Sequence, residues 1–288
     1  MIQSNTSLSQ PPIAEVDLHC HLLPDWDDGP RTVEDSLRLA AKAASVGIKK
    51  ILVTPHVGRS FGSRPERASR DIAPATAHLQ SQVDDAGIGV QLIPGAELTL
   101  SSVDFVKRVV EEPWLWFGGK RRYVLVESPL HIWPDWADRI LFELSLQGIT
   151  PIIAHPERLS DIQKDLDAME QAVARGALLQ ITARSLVGSD RKVKDCCRRL
   201  LVAGLVSVVA SDSHSAKHLM PGEVKAELCA LVGDTAAHQM LTDNPRAILA
   251  GDPLSTPLPH ASPQNLGSRS LDAWGGVIGS MIQRWRGG

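Results

Sequence analysis

Short apolar runs, separated by stretches of helical periodicity, end one after another on histidine, aspartate or glutamate. This recurrence constrains the chain more than any single motif. The runs cover 13–18, 50–54, 90–93, 123–126, 150–154, 178–181 and 206–210, and they are rich in β-branched residues. Between them the clearest helix is 32–46. Thr32 and Asp35 form a capping-box signature, Val33, Leu37, Ala40, Ala41 and Ala44 share one face, and Gly47 ends the pattern. Segments 136–147 and 166–175 close at Gly148 and Gly176, just ahead of the next strand. Strands that alternate with helices pair in parallel, and about seven such units predict an α/β barrel, closed or nearly so. A doubly wound open sheet is the structural alternative.

The strand ends carry the chemistry. The first supplies Asp17, His19 and His21, followed by Asp25, Asp27 and Asp28. Thr54-Pro55-His56, Gly95-Ala96-Glu97, Glu127, His155-Pro156-Glu157-Arg158 and Asp212-Ser213-His214 follow at later ends. In a parallel barrel these ends share one face, so residues distant in sequence converge on one pocket. His19 and His21, two apart along a strand, point to the same side, and Cys20 between them points away. Mixed imidazole and carboxylate donors suit Zn²⁺, Mn²⁺ or Fe rather than Ca²⁺ or Mg²⁺. There are more donors than one ion needs, which predicts a cluster of two or three ions of the kind that activates water for phosphoryl transfer. His78, His238 and His260 fall in helix-like or tail segments and read as ordinary surface residues.

Composition removes competing classes. With 288 residues, 22% of them charged, and a net charge of −3, the chain has no basic excess for nucleic acid. Residues 1–12 lack the basic and apolar regions of a signal peptide, and no apolar stretch reaches the ~20 residues of a membrane span. Cys20, Cys196, Cys197 and Cys229 show no zinc-finger spacing, and two are adjacent, which suits reduced thiols and a cytoplasmic location. Gly58-Arg59-Ser60-Phe61-Gly62 matches a nucleophile elbow, but its serine lies several residues past the strand, where no sharp strand-to-helix turn would expose it. The expected organisation is a tail at 1–13, a barrel at 14–250, a Pro- and Ser-rich linker at 251–270 and an amphipathic segment at 271–288. Leu271, Trp274, Val277, Ile278, Met281, Ile282 and Trp285 stand there at helical spacing. Residues 271–286 are thus expected to contact the barrel, a second copy in a homo-oligomer, or the surface of a membrane.

His19-x-His21, Asp27-Asp28-Gly29-Pro30, Thr54-Pro55-His56, Gly95-Ala96-Glu97, Glu127, Ala154-His155-Pro156-Glu157-Arg158 and Ser211-Asp212-x-His214 together resemble the polymerase and histidinol phosphatase (PHP) superfamily. Within it they are similar to the metal-dependent protein tyrosine phosphatases of bacterial capsule and exopolysaccharide clusters, from Ala14 to about Asn244-Pro245-Arg246. The resemblance implies a distorted (β/α)7 barrel with three divalent ions, often manganese, with zinc or iron as alternatives. It implies His19, His21, Glu97 and Asp212 on the first ion, Glu97, Glu127 and His155 on the second, and Asp28, His56 and His214 on the third. Arg158 would grip the phosphoryl group, with Arg59 and Lys217 as further contacts, and His214 would serve as a weak general acid. The implied substrate is a phosphotyrosine protein, the tyrosine-rich tail of a membrane-bound bacterial tyrosine kinase. Alternatives are a small phosphate ester such as histidinol phosphate, or a weakly active regulatory subunit of an export complex. The segment after Asp212-x-His214 holds Lys217 and His218 where the family carries another phosphate-binding arginine.

Overall fold

A computed structural model describes residues 14–59, 67–220 and 222–254. The amphipathic segment 271–286, His260 and Ser60 lie outside the described residues. All the described strands pair in parallel. They are β1 (Val16–Cys20), β2 (Lys50–Val53), β3 (His56–Val57), β4 (Gln91–Pro94), β5 (Glu97–Thr99), β6 (Tyr123–Glu127), β7 (Thr150–Ala154), β8 (Leu178–Thr182) and β9 (Val206–Ala210). The ladders run β1-β2-β4 and β3-β5-β6-β7-β8-β9. The two ladders are halves of one ring, because β3 continues the path of β2 after Thr54-Pro55 and β5 continues that of β4 after Gly95-Ala96. Backbone bonds cross the break, Gly95 N–H to Val53 O at 3.0 Å and Glu97 N–H to Pro55 O at 3.1 Å.

The sequence places His56 and Glu97 beyond their strands; instead each opens a new short one. Proline at position 55 has no N–H to give the ladder. At Gly95 a Cβ would lie 2.9 Å from Leu52 Cγ, so the strands approach too closely there for a side chain. The ring is completed between β9 and β1 by two backbone bonds rather than a continuous ladder: Asp212 N–H to His19 O (2.8 Å) and His21 N–H to Ser213 O (2.9 Å). Asp17 reinforces the seam. Fully buried and outside the pocket's donor groups, it accepts from Ser211 N–H at 3.0 Å and from the Ser211 hydroxyl.

Among the described residues ten α-helices follow in chain order: α1 (Val33–Ser45), α2 (Ile72–Asp85), α3 (Phe105–Glu111), α4 (Ala137–Leu146), α5 (Asp167–Ala174), α6 (Ala183–Val187), α7 (Arg191–Val202), α8 (Glu223–Val232), α9 (Asp234–His238) and α10 (Asn244–Ala250). The Thr32 hydroxyl caps α1 through Asp35 N–H. The face that α1 buries is Ser36, Leu39, Ala40 and Ala43, turned from the predicted one, and Ala41 is exposed. An alanine-rich helix carries little contrast between its sides, so packing chooses the face.

Two apolar layers hold the fold. The outer one joins strands to helices. The inner one fills the barrel with Val16, Leu18, Leu52, Leu125, Ile152, Ala154, Val208 and Ala210, and is closed below by Phe117 and Ile248. Burial on both strand faces explains why the strands read as continuous apolar runs. Asp252 and Leu254 stay against the barrel base, the carbonyl of Asp252 accepting from Tyr123 OH at 2.7 Å. No described helix is long and apolar enough to cross a membrane.

Candidate metal centre

Inward positions change character along each strand. On β6 the inward series is Tyr123, Leu125, Glu127; on β9 and its continuation it is Val208, Ala210, Asp212; on β8 it is Leu178, Gln180, Thr182. Apolar residues pack the base, and the polar residue at the C-terminal end of the series faces the pocket above them. On β1 the register shifts between Asp17 and Cys20, so that Leu18 faces inward yet His19 joins the pocket one residue later. His155 follows the inward-facing Ala154, and strict alternation would turn it outward. It adopts φ 36° instead, a left-handed conformation uncommon outside glycine, which swings the ring over the pocket.

Four overlapping groups of donors result, each with its ligand atoms within 4.8 Å of one another. They are His19 with His21 and Asp212; His19 with Glu97 and His155; His56 with Glu97 and Glu127; and His21 with Asp28, His56 and His214. Glu127 and His155 fall in separate groups, where the resemblance implies one. The local contacts account for this. Glu127 is drawn toward Thr99 Oγ1 (2.7 Å), Arg59 Nη1 (3.3 Å) and His56 Nδ1 (3.1 Å), whereas His155 Nε2 meets Glu97 Oε1 at 2.7 Å. Glu97, fully buried, stands between them and takes part in two of the groups.

The tightest observation lies between His19 and His21. Their Nε2 atoms are 3.1 Å apart. His19 Nδ1 lies 2.8 Å from Gln180 Oε1, and His21 Nδ1 lies 2.8 Å from Asp27 Oδ2. Both partners are acceptors, so each Nδ1 carries a proton, and in the neutral form that binds a metal each ring turns an Nε2 lone pair toward the other. Two lone pairs at that distance repel unless a cation or proton lies between them. Glu97 Oε2 adds to the demand: buried and without a hydrogen bond, it sits 3.4 Å from both Nε2 atoms and 3.1 Å from His56 Nδ1. The donor set therefore fits a cluster of divalent cations. Electrostatics agree. Burial opposes charge on Glu97 and Asp212, yet His19 and its neighbours hold both carboxyls well below the usual range. Burial likewise opposes charge on His19, but the Glu97 and Asp212 carboxylates outweigh it, so they draw positive charge into the pocket, as a proton on the ring or as a cation beside it.

The sequence places Asp27 at the first strand end without a role in the site and gives no place to Gln180, and these two residues set the two rings. Asp27 Oδ2 also accepts from His56 N–H (3.0 Å), and its Oδ1 accepts from Gly29 N–H (2.9 Å). Gly29 has no room for a side chain, since a Cβ would meet His21 O at 2.9 Å. A signal for Gln180 existed: a lone amide inside the run Leu178-Leu179-Gln180-Ile181. Carboxylates behind metal-binding imidazoles fix tautomer and basicity, and their loss typically lowers metal affinity by about 10–100-fold. Asp27→Asn is expected to weaken Mn²⁺ binding by roughly that factor, as read by calorimetric titration. Unchanged affinity would remove Asp27 from the site.

Arg158 lies on the turn Pro156–Arg158 and donates to Thr182 Oγ1 (3.1 Å) and to Asp212 Oδ2. His214 stacks on His21 with centroids 4.0 Å apart, and its Nε2 is 3.1 Å from Asp28 Oδ1. Arg59 is half exposed beside Glu127. Lys217 is exposed on the loop past His214. Cys20 is fully buried in the outer layer, its Sγ 3.5 Å from Ser213 O, and burial pushes its thiol well up. It has no path to the pocket as a nucleophile.

Residues 15–250 match the model of the capsular polysaccharide synthesis family CpsB/CapC. The chain belongs to that family. Its relatives include the tyrosine-protein phosphatase YwqE of Bacillus subtilis, 32% identical over 203 residues, spanning 70% of this chain and 78% of YwqE. CpsB of Streptococcus agalactiae, also named a tyrosine-protein phosphatase, is 26% identical over 245 residues, covering 81% of this chain and 98% of CpsB. A crystal structure from work on YwqE and Streptococcus pneumoniae CpsB, described as metal-dependent tyrosine phosphatases, superposes with a TM-score of 0.78 at 27% identity. That superposition covers 86% of this chain and 99% of the other. The CpsB/CapC chain thus shares its parallel-sheet architecture with enzymes, and its nine clustered donors stand on the strand-end face.

Proposed function

We propose that this CpsB/CapC member is a metal-dependent protein tyrosine phosphatase. The observation that carries the reading is the pair of Nε2 lone pairs held 3.1 Å apart against a buried carboxylate. His19, His21, Asp28, His56, Glu97, Glu127, His155, Asp212 and His214 would share three divalent ions, manganese by the family resemblance, with zinc or iron equally compatible with mixed imidazole and carboxylate donors. Bound ions of this kind lower the pKa of water and neutralise charge on phosphoryl oxygens.

The chain's own groups do the rest. Asp27 and Gln180 keep the Nε2 atoms of His21 and His19 directed at the cluster. The Arg158 guanidinium, beside Asp212, grips the phosphoryl oxygens with a planar fork. A phenolate leaving group, with a pKa of about 10, needs only weak protonation, which a water at the open edge of the pocket would suffice to give. His214, whose Nδ1 donates to Asp212 O at 3.0 Å and whose Nε2 turns to the cluster, would act as a ligand and not as the acid. The substrate we infer is the phosphorylated tail of a membrane-bound bacterial tyrosine kinase acting in capsule or exopolysaccharide synthesis. The enzyme would meet it from the cytoplasm, with residues 271–286 as a contact for a membrane surface or a second copy.

The test couples metal analysis of protein purified without added metal to turnover of a phosphotyrosine peptide, a phosphoserine peptide and histidinol phosphate. We expect the phosphotyrosine peptide to be preferred, chelation to abolish turnover, and Mn²⁺ to restore it. Full activity in protein confirmed metal-free, or preference for histidinol phosphate, would overturn the reading.

A further inference from the structure

Beside His214 the strand-end rim collects basic side chains that have no ion-pair partner among the described residues. Thr182 pairs with Ala210 at the ends of β8 and β9, and Arg184 lies two residues past Thr182 in the first turn of α6, just beyond the β8 end that neighbours the β9 end leading to Asp212. The turn closed by His218 N–H to Ser215 O (2.9 Å) brings Lys217 and His218 to the same rim. All three residues are exposed, and none of their side chains makes an ion pair or hydrogen bond among the described residues. They also feel one another. Partial burial, and then the charges of Arg184, His214 and Lys217, hold the His218 imidazole below its ordinary range. Arg184 and Lys217 are like charges that repel, and an anion between them relieves the repulsion and favours a proton on His218. That anion differs from the reacting phosphoryl group in place. Arg158 serves the inner pocket and is tied to Asp212 and Thr182, whereas this group lies outside it.

We propose that Arg184, Lys217 and His218 form a subsite for an acidic side chain flanking the phosphotyrosine of a protein substrate. The proposal rests on the phosphatase reading above and adds to it a preference in sequence context. Exposed ion pairs contribute modestly and are screened by salt. The subsite should therefore shift relative efficiency by roughly three- to tenfold at low ionic strength, and by less at high salt.

The experiment uses the full-length, Mn²⁺-loaded protein and two phosphotyrosine peptides that differ only in Asp/Glu against Ser/Gln flanks, with an aryl phosphate as a substrate lacking flanks. The wild type is expected to favour the acidic peptide in kcat/KM. Arg184→Gln should erase that ratio, and Arg184→Glu should invert it. Salt should compress the wild-type ratio and leave that of Arg184→Gln flat. Equal efficiency on the two peptides by the wild type, with the aryl phosphate turned over, overturns the subsite and leaves the phosphatase reading standing. A ratio that survives in both Arg184 variants does the same. No turnover of any aryl ester by the metal-loaded wild type overturns the phosphatase reading itself. Binding of labelled, unphosphorylated versions of the peptides then still decides the anion site, with no acidic preference in the wild type, or one retained in Arg184→Glu, counting against it.

Discussion

Asp212→Asn is expected to lower phosphotyrosine turnover by roughly two to three orders of magnitude in a protein that still folds. Asp212 Oδ1 sits 3.3 Å from His19 Nε2 and 3.5 Å from His21 Nε2, and its other oxygen engages Arg158. An amide has nearly the same shape, so packing is kept, but it offers one weaker donor oxygen and no charge. Two effects add at one position: a weaker hold on the cation that separates the His19 and His21 lone pairs, and an arginine without its charged anchor. The change is read by initial rates beside metal content and a thermal melt. Wild-type rates with wild-type metal content would take Asp212 out of the centre. A collapse of the melt would instead mark the residue as chiefly structural, a plausible competing role for a buried carboxylate at the β9–β1 seam.

Arg158→Ala is expected to cost about 100-fold in kcat/KM, and Arg158→Lys about tenfold, with metal content unchanged in both. The guanidinium reaches Asp212 and Thr182 from a turn that starts at His155, so it borders the donors without being one. Lysine keeps the charge but loses the planar fork that matches two phosphoryl oxygens at once. The graded loss separates a fork from a simple charge. If both variants turn over phosphotyrosine like the wild type, the grip belongs to Arg59 or Lys217. Loss of metal in Arg158→Ala would mean that the arginine holds Asp212 in place rather than the substrate.

Much of the architecture was legible as a pattern. Apolar runs at 123–126, 150–154, 178–181 and 206–210 coincide with β6 to β9 within a residue or so, because strands buried on both faces leave little ambiguity in where they lie. The Thr32 cap was legible for the same reason, being a local contact between neighbours in sequence. The α1 face was not, since alanines on several sides allow more than one packing. The interruptions at Thr54-Pro55 and Gly95-Ala96 carried a proline and a glycine in plain view. Whether they ended strands or kinked them depended on how closely Leu52 approaches Gly95 across the sheet.

The donors divide in the same way. Their residue types, and their position where an apolar run gives out, follow from the chain alone, since a parallel barrel must gather its strand ends on one face. What the chain by itself determined is therefore the set of strands, the face they share and the kinds of atom offered there. The tertiary structure decided which donors meet. Glu127 went to His56 through Thr99 and Arg59, His155 to Glu97 through a left-handed turn, and Asp27 and Gln180 went behind the imidazoles rather than in front of them. Spacing along a strand gives only the side a residue faces. Which partner it reaches is set by register between strands and by bulges and turns, and these are settled when the barrel closes.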